Sequence, residues 1–215
     1  MDSQDKLIYL IRHGQSEGNV GKLCQSPDEP LTELGEEQAR FLAERFRSIP
    51  TDVVLASSMK RARDTAQRVS ESTGAPLVVS DLFVELLHKE EFCGLPESDE
   101  RVAGGDQVWF ENADDPQCRS TFTESFSEFK ERGRMAIECI LDRPEENIAV
   151  ASHGTFLKML FAHMLACNQD VQIDGKLFNA LFRLLGTGNT SITQCRYTKE
   201  RGWRLLSWND KAHLG

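Results

Sequence analysis

Short runs of apolar residues alternate along the chain with longer segments in which apolar residues recur every three or four positions. A run of four or five apolar residues, bounded by polar residues or Gly, is typical of a buried strand, and the longer spacing is typical of a helix packed against a core. The predicted strands cover about residues 7–11, 53–56, 77–79 and 147–150. Because helical segments lie between and after these strands, the pattern predicts an α/β fold.

The helices are predicted from this spacing and from residues that favour helix ends. The expected N-caps are Thr32 for the first helix and either Ser57 or Ser58 for the second, and Gly74 is the expected C-cap of the second. The first helix covers about residues 33–48, and later helices about 122–141 and 155–165. The expected core-facing residues of the first helix are Leu34, Phe41, Leu42, Phe46 and Ile49, and those of the 122–141 helix are Phe122, Phe126, Phe129, Ile137 and Ile140. Two last strands, about residues 191–197 and 203–208, indicate a terminal hairpin.

Arg12, His13 and Gly14 directly follow the first predicted strand. Ligands of open α/β sheets bind outside the carboxyl ends of the strands. Arg presents a fixed fork of donors that suits phosphate, and His acts as a nucleophile or proton carrier near neutral pH. Taken alone, the tripeptide fits a loop His beside a surface Arg equally well.

Two other strands end in the same kind of residue. His153 and Gly154 stand between the strand at 147–150 and a helix, and Arg61 lies in the first turn of the helix that follows the strand at 53–56. Since the carboxyl ends of parallel strands meet at one edge of a sheet, we expect Arg12, His13, Arg61 and His153 to surround one anionic ligand.

These motifs resemble those of the histidine phosphatase superfamily, which includes cofactor-dependent phosphoglycerate mutases and many phosphomonoesterases. The similar segments are residues 12–14 with Ser16 and Asn19, residues 31–39, 57–66 and 152–154, and the C-terminal residues 188–193 and 203–214. The resemblance covers most of the chain and is strongest to bacterial phosphomonoesterase-type members. It implies one domain over residues 1–215, a three-layer sandwich with a central, mostly parallel sheet and helices on both faces, and a cap insertion at 85–120 over the active site.

The resemblance also implies roles for particular residues. His13 would attack phosphorus and carry the phosphoryl group as a phosphohistidine, while Arg12, Arg61 and His153 would hold the phosphoryl oxygens. The substrate-binding residues implied are Ser16, Asn19 and Gly154. Glu85 is the expected proton donor, and Glu90 or Glu91 is the alternative, because the family's pattern after this Glu is not clean here. Neither a metal nor a cofactor is expected.

Three functions compete at this point. The preferred one is a phosphomonoesterase that hydrolyses a small phosphorylated metabolite. The second is a cofactor-dependent phosphoglycerate mutase, whose pocket requires Lys and Arg in the cap, whereas residues 85–115 hold ten acidic residues and only Lys89 and Arg101 as bases. The third is a non-catalytic regulator that binds a phosphorylated ligand on the same fold. That function would be indicated by loss of a catalytic residue, and the four residues of the expected site are all present.

Composition narrows the class of protein further. A net charge of −9 over 215 residues lacks the basic surface that general nucleic-acid binding needs. Apolar runs are too short to span a membrane, and the first residues lack the pattern of a signal peptide. The six cysteines show no C-x-x-C pair, which favours reduced thiols over a zinc site. We therefore expect a cytoplasmic enzyme acting on a small phosphate ester, with its oligomeric state open.

Four further charged or titratable residues are expected to lie outside the site. His88 and His213 are expected at the surface, and His163 is expected to be packed on its helix or at the surface. Arg63 follows Arg61 by two positions, which places it on a different face of the helix.

Overall fold

A computed structural model describes residues 5–115, 123–169 and 171–215, and within them the strands form one six-stranded sheet. The strands are β1 (Lys6–Arg12), β2 (Val53–Ser57), β3 (Leu77–Ser80), β4 (Asn147–Ser152), β5 (Ile192–Thr198) and β6 (Gly202–Asp210). Their order across the sheet is β3-β2-β4-β1-β5-β6. The first four strands in that order run parallel, and β5 and β6 form the antiparallel hairpin at one edge, as the sequence predicts.

The helices of the described residues lie between these strands. They are α1 (Glu17–Gly21), α2 (Glu33–Phe46), α3 (Lys60–Thr73), α4 (Glu100–Glu111), α5 (Phe126–Leu141), α6 (Gly154–Gln169) and α7 (Gly175–Leu184). Short 3-10 turns occupy Asp81–Phe83, Glu90–Phe92 and Ala212–Leu214.

Helices cover both faces of the sheet because side chains alternate along each buried strand. Ile8 and Leu10 of β1 belong to a core that includes residues of α4, α5, α6 and α7. Tyr9 and Ile11, one position along, belong to a second core with residues of α2 and α3. The chain therefore has the predicted α/β sandwich, with a central, mostly parallel sheet between two helical layers.

Helix α2 begins where predicted, with the Thr32 side chain accepting a hydrogen bond from the Gly35 amide. Of the predicted core-facing residues, Leu42, Phe46 and Ile49 do pack in the core, but Leu34 and Phe41 do not. Leu34 and Phe41 are 49% and 37% exposed, because the small residues Gly35, Ala39 and Ala43 face the sheet together with Leu42 and Phe46. The Phe41 ring instead packs under the guanidinium of Arg40, at 4.4 Å.

The start of α3 also differs from the prediction. Met59 is the N-cap residue, and neither Ser57 nor Ser58 caps the helix. The Ser57 hydroxyl instead lies within 2.8 Å of His153 Nε2, in the interior. At the other end, Gly74 ends the helix as predicted, with a φ of 75° that favours glycine.

Three helices, α1, α4 and α7, were not expected from the sequence. Helix α4 lies within the middle segment, where Gly104 and Gly105 weaken the helical signal, and α7 follows Asp174, whose side chain accepts from the Leu177 amide. The predicted 122–141 helix begins at Phe126, behind a Ser125 capping box; Phe122 and residues 116–120 of the expected cap lie outside the described residues.

The cysteines follow the prediction of free thiols where they are described. Cys24 and Cys195 are buried, Cys93 and Cys139 are half-buried, and Cys167 is exposed, whereas Cys118 lies outside the described residues. Among the described residues, no cluster of three or more His, Cys, Asp or Glu has the geometry of a metal site. No helix in the same part of the chain is long and apolar enough to cross a membrane.

Candidate active site

The ends of three parallel strands bring the predicted site residues together. Arg12 ends β1 opposite Ser152, which ends β4, and the His13 amide donates to the Ser152 carbonyl at 3.0 Å. The rings of His13 and His153 consequently lie 5.0 Å apart between centroids. Strand β2 pairs with the other side of β4 and leads through Met59 into the helix that carries Arg61.

His13 is buried, at 2% exposure, and one of its ring nitrogens is fixed by the backbone. Nδ1 lies 2.6 Å from the Gly14 carbonyl oxygen. Because a carbonyl only accepts, Nδ1 carries the proton and Nε2 keeps its lone pair. Burial, and then the charges of Arg61 and Arg12, hold the His13 pKa well below its ordinary value, so the imidazole is neutral at neutral pH.

Gly14 allows the chain after this histidine to pass close to the start of α2. A Cβ atom at this position would lie 2.6 Å from the Gly35 carbonyl oxygen at the start of α2. Since backbone cannot move aside as a side chain does, the close approach of these two segments requires glycine here. The Gly14 amide in turn donates to Thr65 Oγ1 of α3, at 3.0 Å.

Arg61 is almost completely buried beside His13. Its Nε lies 3.3 Å from His13 Nε2, and its Nη1 donates to the Ser26 carbonyl at 2.9 Å. Burial lowers the Arg61 pKa to about 10, with Glu85 and Glu29 opposing the shift. The guanidinium therefore remains charged at neutral pH, directly against the lone pair of His13.

Arg12 approaches the same place from the end of β1. Its Nη1 donates to the Thr187 carbonyl at 2.6 Å, while its buried Nε has no hydrogen-bond partner among the described residues. At Gly154, a Cβ would make only ordinary contact with Arg12 Nε, at 3.6 Å, but would crowd Thr187 Oγ1, at 3.0 Å.

His153 lies completely buried behind His13. Its Nε2 is 2.8 Å from the Ser57 hydroxyl, which accepts from the Met59 amide, and its Nδ1 has no partner among the described residues. Burial, followed by the Arg61 charge, holds the His153 pKa well below its ordinary value. A neutral His153 whose Nε2 accepts from Ser57 has its proton on Nδ1, which suits it to donate to an anion.

Glu85 lines the same cavity as Arg12 and Arg61, against the first turn of α6. Its two oxygens accept from the amides of Thr155 and Phe156 at 3.0 and 2.9 Å, and one of them also from Leu86 at 3.0 Å. The positive end of the α6 dipole therefore faces this carboxylate. By contrast, Glu90 and Glu91 are exposed and do not line the cavity.

Arg12, His13, Arg61 and Glu85 line a cavity of about 370 Å³, whereas His153 is completely buried and is not part of the lining. Asn19 and Gly154, to which the resemblance gives a role in substrate binding, both line the cavity. Ser16 does not, which corrects the expectation of a direct contact. It is buried, and its hydroxyl donates at 2.6 Å to Gln25 Oε1, so it supports Gln25, which does line the cavity.

The four residues expected outside the site are placed as follows. Arg63 is exposed, and His163 packs with its Nε2 2.8 Å from the Lys130 carbonyl, both as expected. The expectation for His88 is wrong: it is half-buried and lines the cavity, because the segment after Glu85 turns over the site. His213 is also half-buried, since the C-terminal turn packs against α2 near Arg45, and burial lowers its pKa to about 4.

Several cavity residues were not anticipated. Lys158 lines it from α6, with Nζ donating to the Phe182 carbonyl at 2.9 Å and lying 4.1 Å from the Phe182 ring centroid. Trp109 and Phe110 of α4 form the aromatic wall with Phe182. The sequence does contain a signal for Lys158. It follows Gly154 by about one helical turn, so the two residues lie on the same face of α6.

Comparison with known proteins agrees with this geometry. Residues 8–211 match the histidine phosphatase superfamily (branch 1). The chain is 31% identical over 219 residues to a probable phosphoglycerate mutase of Serratia proteamaculans (strain 568), covering 96% of this chain and 94% of that one. It is 26% identical to the metal-independent phosphoserine phosphatase of Arabidopsis thaliana, covering 100% of this chain and 85% of that one.

A solved structure shows the same fold. Mycobacterial glucosyl-3-phosphoglycerate phosphatase, determined with VO3, superposes with a TM-score of 0.75 at 26% identity, covering 95% of this chain and 99% of that one. The proteins matched by the chain thus carry names of both phosphatases and mutases. The match over nearly the whole length shows that the chain belongs to the histidine phosphatase superfamily.

Proposed function

We propose that this protein is a metal-independent phosphomonoesterase that hydrolyses a small phosphate ester through a phosphohistidine on His13. One observation carries the proposal: Nδ1 of a buried, neutral His13 is tied to the Gly14 carbonyl, which leaves the lone pair of Nε2 beside the Arg61 guanidinium. A nucleophile and an anion-binding group therefore meet at one point of the cavity.

The surrounding charges suit the transferring phosphoryl group. Phosphoryl transfer passes through a loose transition state with charge on three equatorial oxygens, so catalysis depends on positioning and electrostatics. In the proposed mechanism, Arg12, Arg61 and His153 donate to these oxygens while Nε2 of His13 forms the new bond to phosphorus. The unpartnered Arg12 Nε and His153 Nδ1 support this role, since buried donors are nearly always paired when a site is filled.

Glu85 is the proposed proton carrier for both half-reactions. It gives a proton to the alkoxide as the P–O bond breaks, and it then takes a proton from the water that attacks the phosphohistidine. Its place in the cavity lining, and the exposure of Glu90 and Glu91, support this choice.

The charges in the cavity favour hydrolysis over mutase activity. Its described lining contains the cations Arg12, Arg61 and Lys158 and the acidic residues Glu85 and Glu97. With Glu85 carrying the proton that it donates, the excess is two positive charges, which one dianionic phosphate already balances. A bisphosphate or a phosphorylated acid adds further negative charge that the lining does not balance, whereas the aromatic wall suits an ester with an uncharged, partly apolar alcohol.

The experiment is trapping of the phosphoryl-enzyme. We expect His13→Asn to lose at least 10³-fold in kcat/KM for p-nitrophenyl phosphate and to give no acid-labile radioactive protein with labelled substrate. His163→Gln is the matched control, because it removes a buried histidine outside the cavity and should leave both readouts intact. Activity of His13→Asn within tenfold of wild type would overturn the mechanism.

A further inference from the structure

We propose that Arg132 and Glu124, which lie outside the cavity lining, form a clasp that positions Glu85 for proton transfer. The clasp consists of these two side chains and the backbone of residues 84–87, to which they bind. The inference rests on the proposed role of Glu85 and adds the residues that set its place in the cavity.

The segment at residues 84–87 has no regular secondary structure, yet it is partly buried and lines the cavity. Its backbone groups therefore need partners from elsewhere in the chain. Arg132 of α5 supplies two, with Nη1 donating to the Val84 carbonyl at 2.6 Å and Nη2 to the Glu85 carbonyl at 3.1 Å.

Glu124 completes the clasp from the residues just before α5. Its Oε1 accepts from Arg132 Nη2 at 2.5 Å and from the Leu87 amide at 2.9 Å, and its own amide donates to the Leu87 carbonyl at 3.0 Å. Both side chains of the ion pair are largely buried, at 13% and 11% exposure. The backbone on either side of Glu85 is thus fixed by one buried pair.

Arg132 also contacts the element that holds the Glu85 carboxylate. Its guanidinium lies 4.5 Å from the ring centroid of Phe156, whose amide donates to Glu85. The same side chain therefore ties the Glu85 backbone on one side and packs on the first turn of α6 on the other. Only a planar fork meets these demands together, because Lys presents a point charge without the paired donors.

The clasp predicts a loss that depends on the leaving group. Phosphorylation of His13 by p-nitrophenyl phosphate needs no proton on the departing phenolate, whereas an alkyl phosphate needs one. If Glu85 shifts by about 1 Å, proton transfer falls by on the order of 10²-fold while the site made by Arg12, His13 and Arg61 stays intact. General destabilisation would instead lower both activities by the same factor.

The variants are Arg132→Lys, and Arg132→Gln combined with Glu124→Gln so that no buried charge is left unpaired. We expect kcat for an alkyl phosphate to fall 10- to 100-fold, and kcat for p-nitrophenyl phosphate to stay within threefold, with KM nearly unchanged for both. Arg134→Gln is the matched control, since Arg134 lies on the same helix, is exposed and pairs with Glu131 and Glu138.

Two further measurements separate the clasp from the role of Glu85. Glu85→Gln should show the largest difference between the alkyl phosphate and p-nitrophenyl phosphate of any variant. If Glu85→Gln shows no such difference, the assignment of Glu85 as proton carrier is overturned rather than the clasp. Hydrogen exchange at the Thr155 and Phe156 amides, which donate to Glu85, reports its position without any turnover. Faster exchange in the double variant supports the clasp; wild-type exchange, or equal loss with both substrates, overturns it.

Discussion

Lowering the pH should destabilise this protein through the two buried histidines of the candidate site. Burial and the charges of Arg61 and Arg12 hold the pKa of His13 well below 6.5, and burial with the Arg61 charge does the same for His153. Both imidazoles are neutral in the folded protein near neutral pH, and in the unfolded chain each returns to a pKa of about 6.5.

The sign and size of the effect follow from proton linkage. Below pH ~6.5 the unfolded chain binds protons that the folded state does not bind, so the free energy of unfolding falls as the pH falls. If the folded-state imidazole stays neutral over this range, one such histidine lowers the free energy of unfolding by about 2 kcal/mol between pH 7.5 and pH 5.0, and two lower it by about 4 kcal/mol. That is a large share of the ~5–15 kcal/mol by which a domain is stable.

The assay is urea unfolding at pH 7.5, 6.5 and 5.0 for the wild type and for His13→Asn combined with His153→Gln. The side-chain amide of Asn at position 13 would lie near the position of His13 Nδ1, so the hydrogen bond to the Gly14 carbonyl is approximately retained. The side-chain amide of Gln at position 153 would lie near the position of His153 Nε2, so the hydrogen bond to Ser57 is approximately retained as well. We expect the double variant to lose about 4 kcal/mol of the wild-type pH dependence.

A smaller slope should remain in that variant, because burial also lowers the pKa of His88, His163 and His213. An unchanged slope would refute the reasoning, since it would mean that the active-site imidazoles bind protons in the folded state as readily as in the unfolded one. The neutral nucleophile on which the proposed function depends would then be lost.

Three other predictions follow from the site. Arg61→Lys should weaken competitive inhibition by vanadate and lower kcat/KM by about 10²-fold, whereas the exposed Arg63→Lys should change neither. Ser57→Ala should lower the free energy of unfolding by about 2–4 kcal/mol, because it leaves His153 Nε2 and a backbone amide without their buried partner, and Ser58→Ala should have a much smaller effect. Adding 2,3-bisphosphoglycerate should not produce efficient interconversion of 2- and 3-phosphoglycerate; mutase turnover faster than hydrolysis would contradict the charge argument.

The edge of the sheet that holds the site was predictable because local residues indicate each strand and the position at which it ends. Apolar runs end within one or two residues of Arg12, His13 and His153, and parallel strands place such ends side by side. Arg61 was predictable for the same reason, from its place in the first turn after β2. These inferences need only periodicity and one rule of topology.

The path of the chain over the cavity could not be predicted, because distant residues determine it. Residues 84–87 follow a route fixed by Arg132 and Glu124, about forty positions away, and nothing local marks His88 as a cavity residue. Helix α7 did carry a local signal, since Asp174 precedes an apolar repeat at Leu177, Phe178 and Leu181.

The site places a neutral imidazole and a charged guanidinium within 3.3 Å of each other. The same burial leaves the two groups in different charge states because their ordinary pKa values differ. The same loss of solvent that lowers the His13 pKa lowers that of Arg61 to about 10, which still leaves the guanidinium charged. A lysine begins at about 10.4 rather than above 12, so an equal shift would leave its pKa only about one unit above neutral pH. Arginine therefore keeps its charge by a wider margin under the burial that prepares the nucleophile, and it adds the paired donors that lysine lacks, so the conservative change to Lys at position 61 is expected to be severe.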